Sequence, residues 1–476
     1  MVTPYESDDN TKKTNPIEDA TEAILQDNNF VTLEESDTIY HYNSGVYTPN
    51  GEVIIRKILE SMYGYDLNIS KRSEIREHIR NKTYHKISEF DSDINIINMT
   101  NGLYDIQKDE LNSHSPDHLS MNQKPIIYDP NMPAPECFIK FIKHIVYPTD
   151  VWTLIELMAY TFYRDNPFEI ITTLNGNGSN GKSVLFGLLT ALHGAANVSS
   201  VSLKTMIERP YGLFDLVGKD VNLDAELSNT IYDTAILKKI TGRQRTRVEQ
   251  KNQKAFDTSL HTKLWLSANK IPQTGDETNA YYRRNVLIGC PNTFEERDYT
   301  PSYPDCERCK LEALDRQKED MAQGIFKLDP DLDKKLTTPE ELSGIFNLLM
   351  FALRRILKEK RIFLTEKTIE SRRQKYDMAV NPVKAFLDIA IDEESTESHM
   401  ITKAALHEAY KYFCNKHKLA IMSINPFCKI VKETLLEFRE TTGKRRTVWM
   451  GVKLTEEYLK VVEEFNGRQT RLEDLI

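Results

Sequence analysis

One stretch decides the fold: Ile170-Ile-Thr-Thr-Leu-Asn-Gly-Asn-Gly-Ser-Asn-Gly-Lys-Ser183, followed by Val184-Leu-Phe-Gly-Leu-Leu-Thr-Ala-Leu192. Its middle, Gly176 to Ser183, fits G-x-x-x-x-G-K-[ST] without mismatch. An apolar run precedes the loop and a helical run follows it, the strand–loop–helix setting that such a loop requires. The glycines let backbone N–H groups turn inward around phosphate oxygens. The start of the helix adds partial positive charge at the same place. Lys182 is suited to reach β- and γ-phosphates, and Ser183 to ligate Mg2+. Gly176, Gly178, Asn180, Gly181, Lys182, Ser183 and Val184 are therefore the candidate nucleotide contacts.

Hydrolysis needs acids that hold Mg2+ and polarise water. The next apolar strand, Val221-Asn-Leu-Asp-Ala-Glu-Leu227, carries Asp224 and Glu226. Residues i and i+2 share one side of a strand, so both acids can face the phosphates. One would hold Mg2+ through water, with Asp224 joining Ser183 as the candidate metal position, while the other orients the attacking water. A solvated strand end with two acids is the plainer alternative. Lys263-Leu-Trp-Leu-Ser-Ala-Asn269 is a further apolar strand ending in an amide. There Asn269 can hydrogen-bond both the γ-phosphate and the water, or merely open a turn before Pro272. Arg283 and Arg284 precede the apolar run Asn285–Ile288. They are candidates for an arginine finger that reaches a neighbour's γ-phosphate, although an isolated pair is more often just solvated.

Outward from this core, residues 168–290 alternate short apolar runs with helical stretches, the pattern of an α/β domain. Pro339 to Lys358 places Leu342, Ile345, Phe346, Leu349, Leu353 and Ile356 on one helix face. Residues 1–16 read as a solvated tail, and 17–94 as a small α/β region with a hairpin at Thr38–Tyr42 and Gly45–Tyr47. Residues 95–165 read as a helical domain, with Phe138, Phe141, Ile142 and Ile145 along one helix. An α/β unit is expected over 166–375 with a polar insertion at 291–320, and a C-terminal unit over 380–476. Within the insertion, Cys306-Glu-Arg-Cys309 is half of a zinc-type spacing. The other cysteines are scattered, so ordinary loop thiols are the plainer reading.

Composition bounds the rest. The chain has 476 residues and a net charge of −9, with 40 % apolar and 28 % charged residues. That length accommodates roughly two to four domains, and that composition excludes disorder of the whole chain. No run approaches 18 apolar residues, so no membrane span is expected. The polar start lacks a secretory h-region. Six cysteines make no disulfide scaffold, and a reducing cytoplasm is expected.

The mildly acidic average hides a basic segment. Lys238, Lys239, Arg243, Arg245, Arg247, Lys251, Lys254 and Lys263 face only Glu249 and Asp257 over residues 238–263, a net charge of +6. Arg245-Thr-Arg-Val alternates, and Ala255–Leu260 can return as a second strand, with Lys251 and Lys254 at the tip. Such a hairpin suits a phosphodiester backbone, the alternative being a solvated charged face. Near the C-terminus two helical runs precede Gly443-Lys-Arg-Arg-Thr-Val-Trp449, the order of a winged helix. Lys444, Arg445 and Arg446 at its tip are candidate phosphate contacts, the alternative being contact with another protein, and Trp449 is expected in the core.

The order of these motifs resembles the superfamily 3 helicases of the AAA+ class, in the phage, plasmid and poxvirus-type primase-helicase branch. The resemblance rests on Gly176–Ser183, Val221–Glu226, Leu237–Gly242, Lys263–Pro272 and Tyr281–Arg284. It extends upstream to Asn101–Asp105, His114–Pro116 and Tyr128–Pro130, and downstream from Asn381. It implies a multidomain α/β chain: an AAA+ motor core with an N-terminal helical domain and a C-terminal winged helix. It further implies an ATP- and Mg2+-dependent hexamer around DNA, moving 3′ to 5′ on one strand during replication of a virus or plasmid, in a host cytoplasm if viral. Single-stranded and forked DNA would be the nucleic-acid partners, with a primase or other replisome proteins as protein partners. Lys182, Ser183, Asp224 or Glu226, Asn269 and one of Arg283 and Arg284 match the family's functional positions. About 90 residues precede the helical region, too few for a primase-polymerase domain, so a helicase without primase activity is expected. The alternatives are a P-loop motor that packages or remodels DNA, and an origin-binding scaffold assembled by ATP.

Overall fold

The computed structural model describes residues 15–473 apart from 210, 228–229, 232–233, 250–254, 275–277, 305, 393, 396–398, 435–439 and 443–446. It is a mixed α/β chain in two compact units. The first runs to Pro125 and includes Glu249–Phe256; the second comprises Ile126–Val248 and Asp257–Ile476. Among the described residues no helix is long and apolar enough to cross a membrane.

In the first unit, helix α1 (Pro16–Asp27) begins where the Asn15 side chain accepts a hydrogen bond from the Ile17 N–H at 3.2 Å, an N-cap followed by proline at the first helical position. Strands β1 (Phe30–Leu33), β2 (Ile39–Asn43) and β3 (Val46–Thr48) follow. Asn43 pairs with Val46, so β2 and β3 form the expected hairpin. Helices α2 (Gly51–Tyr63) and α3 (Ile69–Lys82) bury Ile55, Leu59, Ile75 and Ile79, and β4 (Tyr84–His85) completes a sheet of order β3-β2-β1-β4.

Residues 96–124 correct the expectation of helix. They form β5 (Ile96–Met99), β6 (Gly102–Asp105), β7 (Glu110–Asn112) and β8 (Gln123–Lys124), in the order β7-β6-β5-β8. Met99 pairs with Gly102 across Thr100-Asn101, so a two-residue loop turns the chain back before a helix can nucleate. A Cβ on Gly102 would press on Leu111 and the Asn112 carbonyl, which explains the glycine there.

The second unit opens with helices α4 (Glu136–Ile145) and α5 (Val151–Tyr160). The four expected residues of α4, Phe138, Phe141, Ile142 and Ile145, are buried. Then come β9 (Ile171–Asn175), α6 (Lys182–His193), β10 (Val198–Ser199), α7 (Leu203–Glu208), β11 (Val221–Asp224) and β12 (Thr230–Ile231). After α8 (Ala235–Thr241), β13 (Arg245–Val248) and β14 (Phe256–Ser259) pair with each other. Next are β15 (Lys263–Ala268), β16 (Gln273–Thr274), α9 (Asn279–Arg284) and β17 (Asn285–Gly289).

Five of these strands build one parallel sheet of order β10-β11-β15-β9-β17. Strands β9, β11, β15 and β17 are buried along their whole length, as parallel strands covered on both faces must be. The chain leaves β9 in one direction and returns to its other side through β17. Open parallel sheets hold ligands at such a reversal, beyond the carboxyl ends of the strands.

The insertion is ordered rather than a plain linker: β18 (Thr293–Glu295), α10 (Glu307–Ala322) and β19 (Ile325–Lys327) form a parallel pair bridged by a helix. Short α11 (Leu332–Leu336) leads to α12 (Pro339–Glu359), whose buried face carries the six residues expected for it. Each such side chain contributes about 1.5–3 kcal/mol of burial.

Helices α13 (Ile369–Val380) and α14 (Pro382–Ala390) precede β20 (Met400–Thr402), α15 (Lys403–His417), α16 (Ile424–Thr434), β21 (Glu440–Thr442), β22 (Thr447–Met450) and α17 (Glu456–Glu473). The strands form an antiparallel sheet of order β20-β22-β21. Trp449 is 1 % exposed in the same core as Phe386, Tyr410 and Phe427, so it packs rather than offering a stacking platform.

Candidate functional site

The glycine loop sits at the carboxyl end of β9. Gly181 ends it in a left-handed conformation (φ 82°) and caps α6, and a Cβ there would meet the Ile145 methyl at 2.6 Å. At Gly176 a Cβ would collide with the Asn180 amide and lie 2.7 Å from the Cys290 carbonyl oxygen. Both positions therefore require glycine. Asn180 is 4 % exposed, and its Nδ2 has no hydrogen-bond partner among the described residues. A buried donor without an acceptor is costly, and a phosphate oxygen in the loop is the acceptor that would satisfy it. Gly178 and Ser183 are exposed, and Val184 is half-buried.

Lys182 is 7 % exposed. Its ammonium donates to the Gly176 carbonyl, to the Asn177 carbonyl at 3.4 Å and to Asn269 Oδ1 at 3.2 Å. Burial lowers its pKa from the ordinary lysine value because the charged form loses hydration. An anion in the loop would offset that loss. Lys182 and Asn269, 87 residues apart, are thus brought together.

The two acids part company. Asp224 is buried, accepting from the Leu203 N–H at 2.8 Å and the Glu226 N–H at 3.3 Å, whereas Glu226 is exposed. The strand ends at Asp224, so Glu226 lies past the β geometry that would align the two side chains. Asp224 closes β11 and pairs in register with Leu266, which pairs with Thr173. It is the carboxyl-terminal residue of its own strand, two residues short of the point where β9 passes into the glycine loop.

Arg283 and Arg284 lie at the opposite edge. Both close α9, and Asn285 pairs with Ile171 while Gly289 pairs with Asn175. Four strand steps, about 13 Å, separate the arginine end of β9 from its loop end. Both guanidinium groups bind the Glu169 carboxylate, Arg284 at 2.6 Å. Arg284 also donates to the Ala280 carbonyl at 3.0 Å, and burial lowers its pKa.

Of the nucleic-acid candidates, Arg245 and Arg247 project from the exposed face of β13, while Thr246 and Val248 turn inward. Arg245 donates to the Asp257 carbonyl at 2.9 Å, across the hairpin. Lys251, Lys254, Lys444, Arg445 and Arg446 lie outside the described residues. Lys263 does not join this surface. It is 3 % exposed and donates to the carbonyls of Tyr163 (2.6 Å), His261 (2.7 Å) and Asp165 (3.0 Å), with burial bringing its pKa down to about 7. Cys306 and Cys309 begin α10, and among the described residues no group of three metal-ligating side chains occurs.

Several contributors escaped the sequence reading. Asn177 Nδ2 donates to the Ile421 carbonyl at 2.5 Å, tying the glycine loop to the segment before α16. Beside it lies a cleft of about 230 Å3 lined by Asn175, Asn269, Val380, Leu419 and Met422 among others. The Phe294 N–H donates to the Ser179 carbonyl at 2.7 Å, so the insertion braces the loop from its other side. Glu169, the counterion of both arginines, stands directly before the apolar run that leads into the loop. No local pattern marks any of these long-range contacts.

Comparison with known proteins gives matches to two family descriptions. Residues 5–146 match a family described as D5 N terminal like, and residues 174–284 match a family of unknown function, DUF5906. The second spans the glycine loop, both acids, Asn269 and both arginines. Among solved structures, an apo form of the NrS-1 C-terminal region is 12 % identical, with 91 % of this chain and 99 % of that chain covered at a TM-score of 0.41. Another structure of that region is 10 % identical, with 91 % and 98 % covered at a TM-score of 0.45.

Proposed function

We propose that this chain is an ATP-dependent DNA helicase of the superfamily 3 type, acting in viral or plasmid replication. It would work as a hexameric ring in which each ATP lies between one subunit's glycine loop and the next subunit's arginines. The observation that carries the reading is the split of the site. The loop has its lysine, its polar sensor and an unsatisfied buried donor at one edge of the sheet, while the arginine pair stands at the other edge. Within one subunit the two ends of β9 stand about 13 Å apart along the backbone, and Glu169 holds both arginines at the end away from the loop. A head-to-tail ring brings opposite edges of identical subunits together. The order β10-β11-β15-β9-β17, with the loop after this sheet's first strand in chain order, supports an AAA+ core. Helices α14 to α16 with the antiparallel sheet β20-β22-β21 support a winged helix.

The chemistry follows from the side chains. Phosphate oxygens would take over the Asn180 amide and draw the Lys182 ammonium off the Gly176 carbonyl. Mg2+ held near Ser183 and Asp224 would supply charge neutralisation of the phosphates. Asp224, fixed by two backbone N–H groups, suits that static role. Glu226 is exposed and suits the orientation of the attacking water. Asn269 contacts Lys182 already, so loss of the γ-phosphate would be felt at the end of β15. The same strand begins four residues after β14, and the hairpin that carries Arg245 and Arg247 would shift with it along a DNA backbone.

The test is strand separation of a forked DNA duplex by the full chain. ATP-dependent unwinding with DNA-stimulated ATPase, both abolished in Lys182→Ala, is expected. ATPase without unwinding would replace the reading with a packaging or remodelling motor. Assembly on ATP without turnover would replace it with a scaffold.

A further inference from the structure

Resting on that reading, the contacts around the arginine pair distinguish its two members. The Arg283 side chain is 54 % exposed and is held through Glu169, whereas the Arg284 side chain is 11 % exposed and is also tied to the Ala280 carbonyl. Their backbone is clamped separately. Arg372 donates through Nη1 to the Arg283 carbonyl at 2.6 Å and through Nε to the Glu366 carbonyl at 3.3 Å. The end of α9 is therefore fixed, and the freedom left is that of the Arg283 side chain.

Glu169 is unusual in its own right. It holds φ at 52°, a left-handed conformation that favours glycine, and its N–H donates to the Asn166 carbonyl at 3.3 Å. A side chain kept at such a position points to a use for it. Its side chain is 29 % exposed and its carboxylate is shared between two guanidinium groups, so among the described residues two cations answer to this one anion. Glu169 also stands two residues before β9, whose far end is the glycine loop.

We propose that Arg283 is the finger, that Arg284 anchors Glu169, and that Glu169 is a positioning residue that restrains Arg283 until the γ-phosphate of a nucleoside triphosphate on the adjoining subunit competes for it. Breaking a half-exposed ion pair is a small cost, so the restraint slows turnover modestly and leaves nucleotide binding alone. It keeps hydrolysis low until the ring is correctly seated.

Four single variants of the full chain test this, each measured for thermal midpoint, ATP affinity and ATPase without DNA at saturating ATP. Glu169→Gln keeps the shape and removes the charge, and is expected to raise turnover about threefold to fivefold with ATP affinity unchanged. Glu169→Gly, which relieves the left-handed strain, should do the same at an equal or higher thermal midpoint. Arg283→Ala should lower turnover far more than Arg284→Ala, and adding Glu169→Gln to Arg283→Ala should restore nothing. Turnover in Glu169→Gln at or below that of the unaltered chain, with an unchanged thermal midpoint, overturns the restraint. Loss of folding in both Glu169 variants overturns it too, by assigning Glu169 a structural role. A larger loss in Arg284→Ala than in Arg283→Ala overturns the choice of finger. Full turnover in both arginine variants would instead remove the arginine-finger reading itself, whatever Glu169 does.

Discussion

The two ends of strand Ile171–Asn175 are built from opposite electrostatic problems. At the carboxyl end, a buried ammonium rests on backbone carbonyls and a buried amide donor has no acceptor. An anion bound there would answer both groups. At the amino end, two guanidinium groups share one carboxylate, and both sit where the chain is fixed by further hydrogen bonds. That end has a cation to spare. A buried strand of fixed length stands between the two ends. A triphosphate bridging two copies would solve both at once, and that complementarity is the physical content of the proposed ring.

The comparison can be broken most severely at the loop end. Lys182→Ala should reduce ATPase at least about 100-fold, since it removes a preorganised cation from a water-poor site. Steady-state phosphate release measures it, and turnover within tenfold of the unaltered chain would show that the loop end is not the chemical site. The arginine end should respond differently in kind. Arg283→Ala should cost turnover by about 100-fold or more while equilibrium binding of a non-hydrolysable ATP analogue changes less than about threefold, as expected for a group that acts only in the transition state. Equal losses of binding and turnover would place the arginine on its own subunit's nucleotide.

Two smaller effects sharpen the picture. Gly181→Ala introduces a Cβ 2.6 Å from the Ile145 methyl at a positive φ, and should destabilise the second unit by about 1–3 kcal/mol. A thermal melt with an unchanged midpoint would mean that the loop relaxes freely, contrary to its packing against α4. Arg245→Ala with Arg247→Ala should weaken single-stranded DNA binding and lower the slope of log affinity against log salt by about 2. An unchanged slope in a fluorescence titration would remove β13 from the DNA path.

Much of the parallel sheet was legible because its strands are continuous apolar runs bounded by chemistry. The runs ending at Leu174, Leu223, Ser267 and Ile288 all lie in buried strands. Helix α12 was legible because its six apolar positions repeat at helical spacing. Residues 96–124 were not, since strands of two to four residues carry too few alternations to outweigh the helical runs beside them. Lys263 counts toward the basic segment but not toward its surface, for a related reason. Charge counted along the chain says nothing of the first position of a central strand, where three carbonyls surround the ammonium.

The candidate site shows the same division. Lys182 stood out through the glycine loop that follows β9 and Asn269 through its place directly after β15, and neighbouring parallel strands bring their carboxyl ends together. The bond from Asn177 to Ile421 joins residues 244 apart, and the pairing of Glu169 with Arg283 joins residues 114 apart. No periodicity encodes contacts of that range. They follow from packing, which places the two arginines at the amino end of β9 rather than beside the loop.

The most direct measurement of the shared site is a mixing experiment between two inactive full-length chains, Lys182→Ala and the double variant Arg283→Ala with Arg284→Ala, assembled together on single-stranded DNA. Each chain then supplies the end of the strand that the other lacks. In randomly mixed rings, about a quarter of the sites combine an intact loop with an intact arginine pair from the next subunit, so ATPase should recover toward that fraction. A mixture as inactive as its components, while each still assembles with the other, would contradict a nucleotide site shared between subunits.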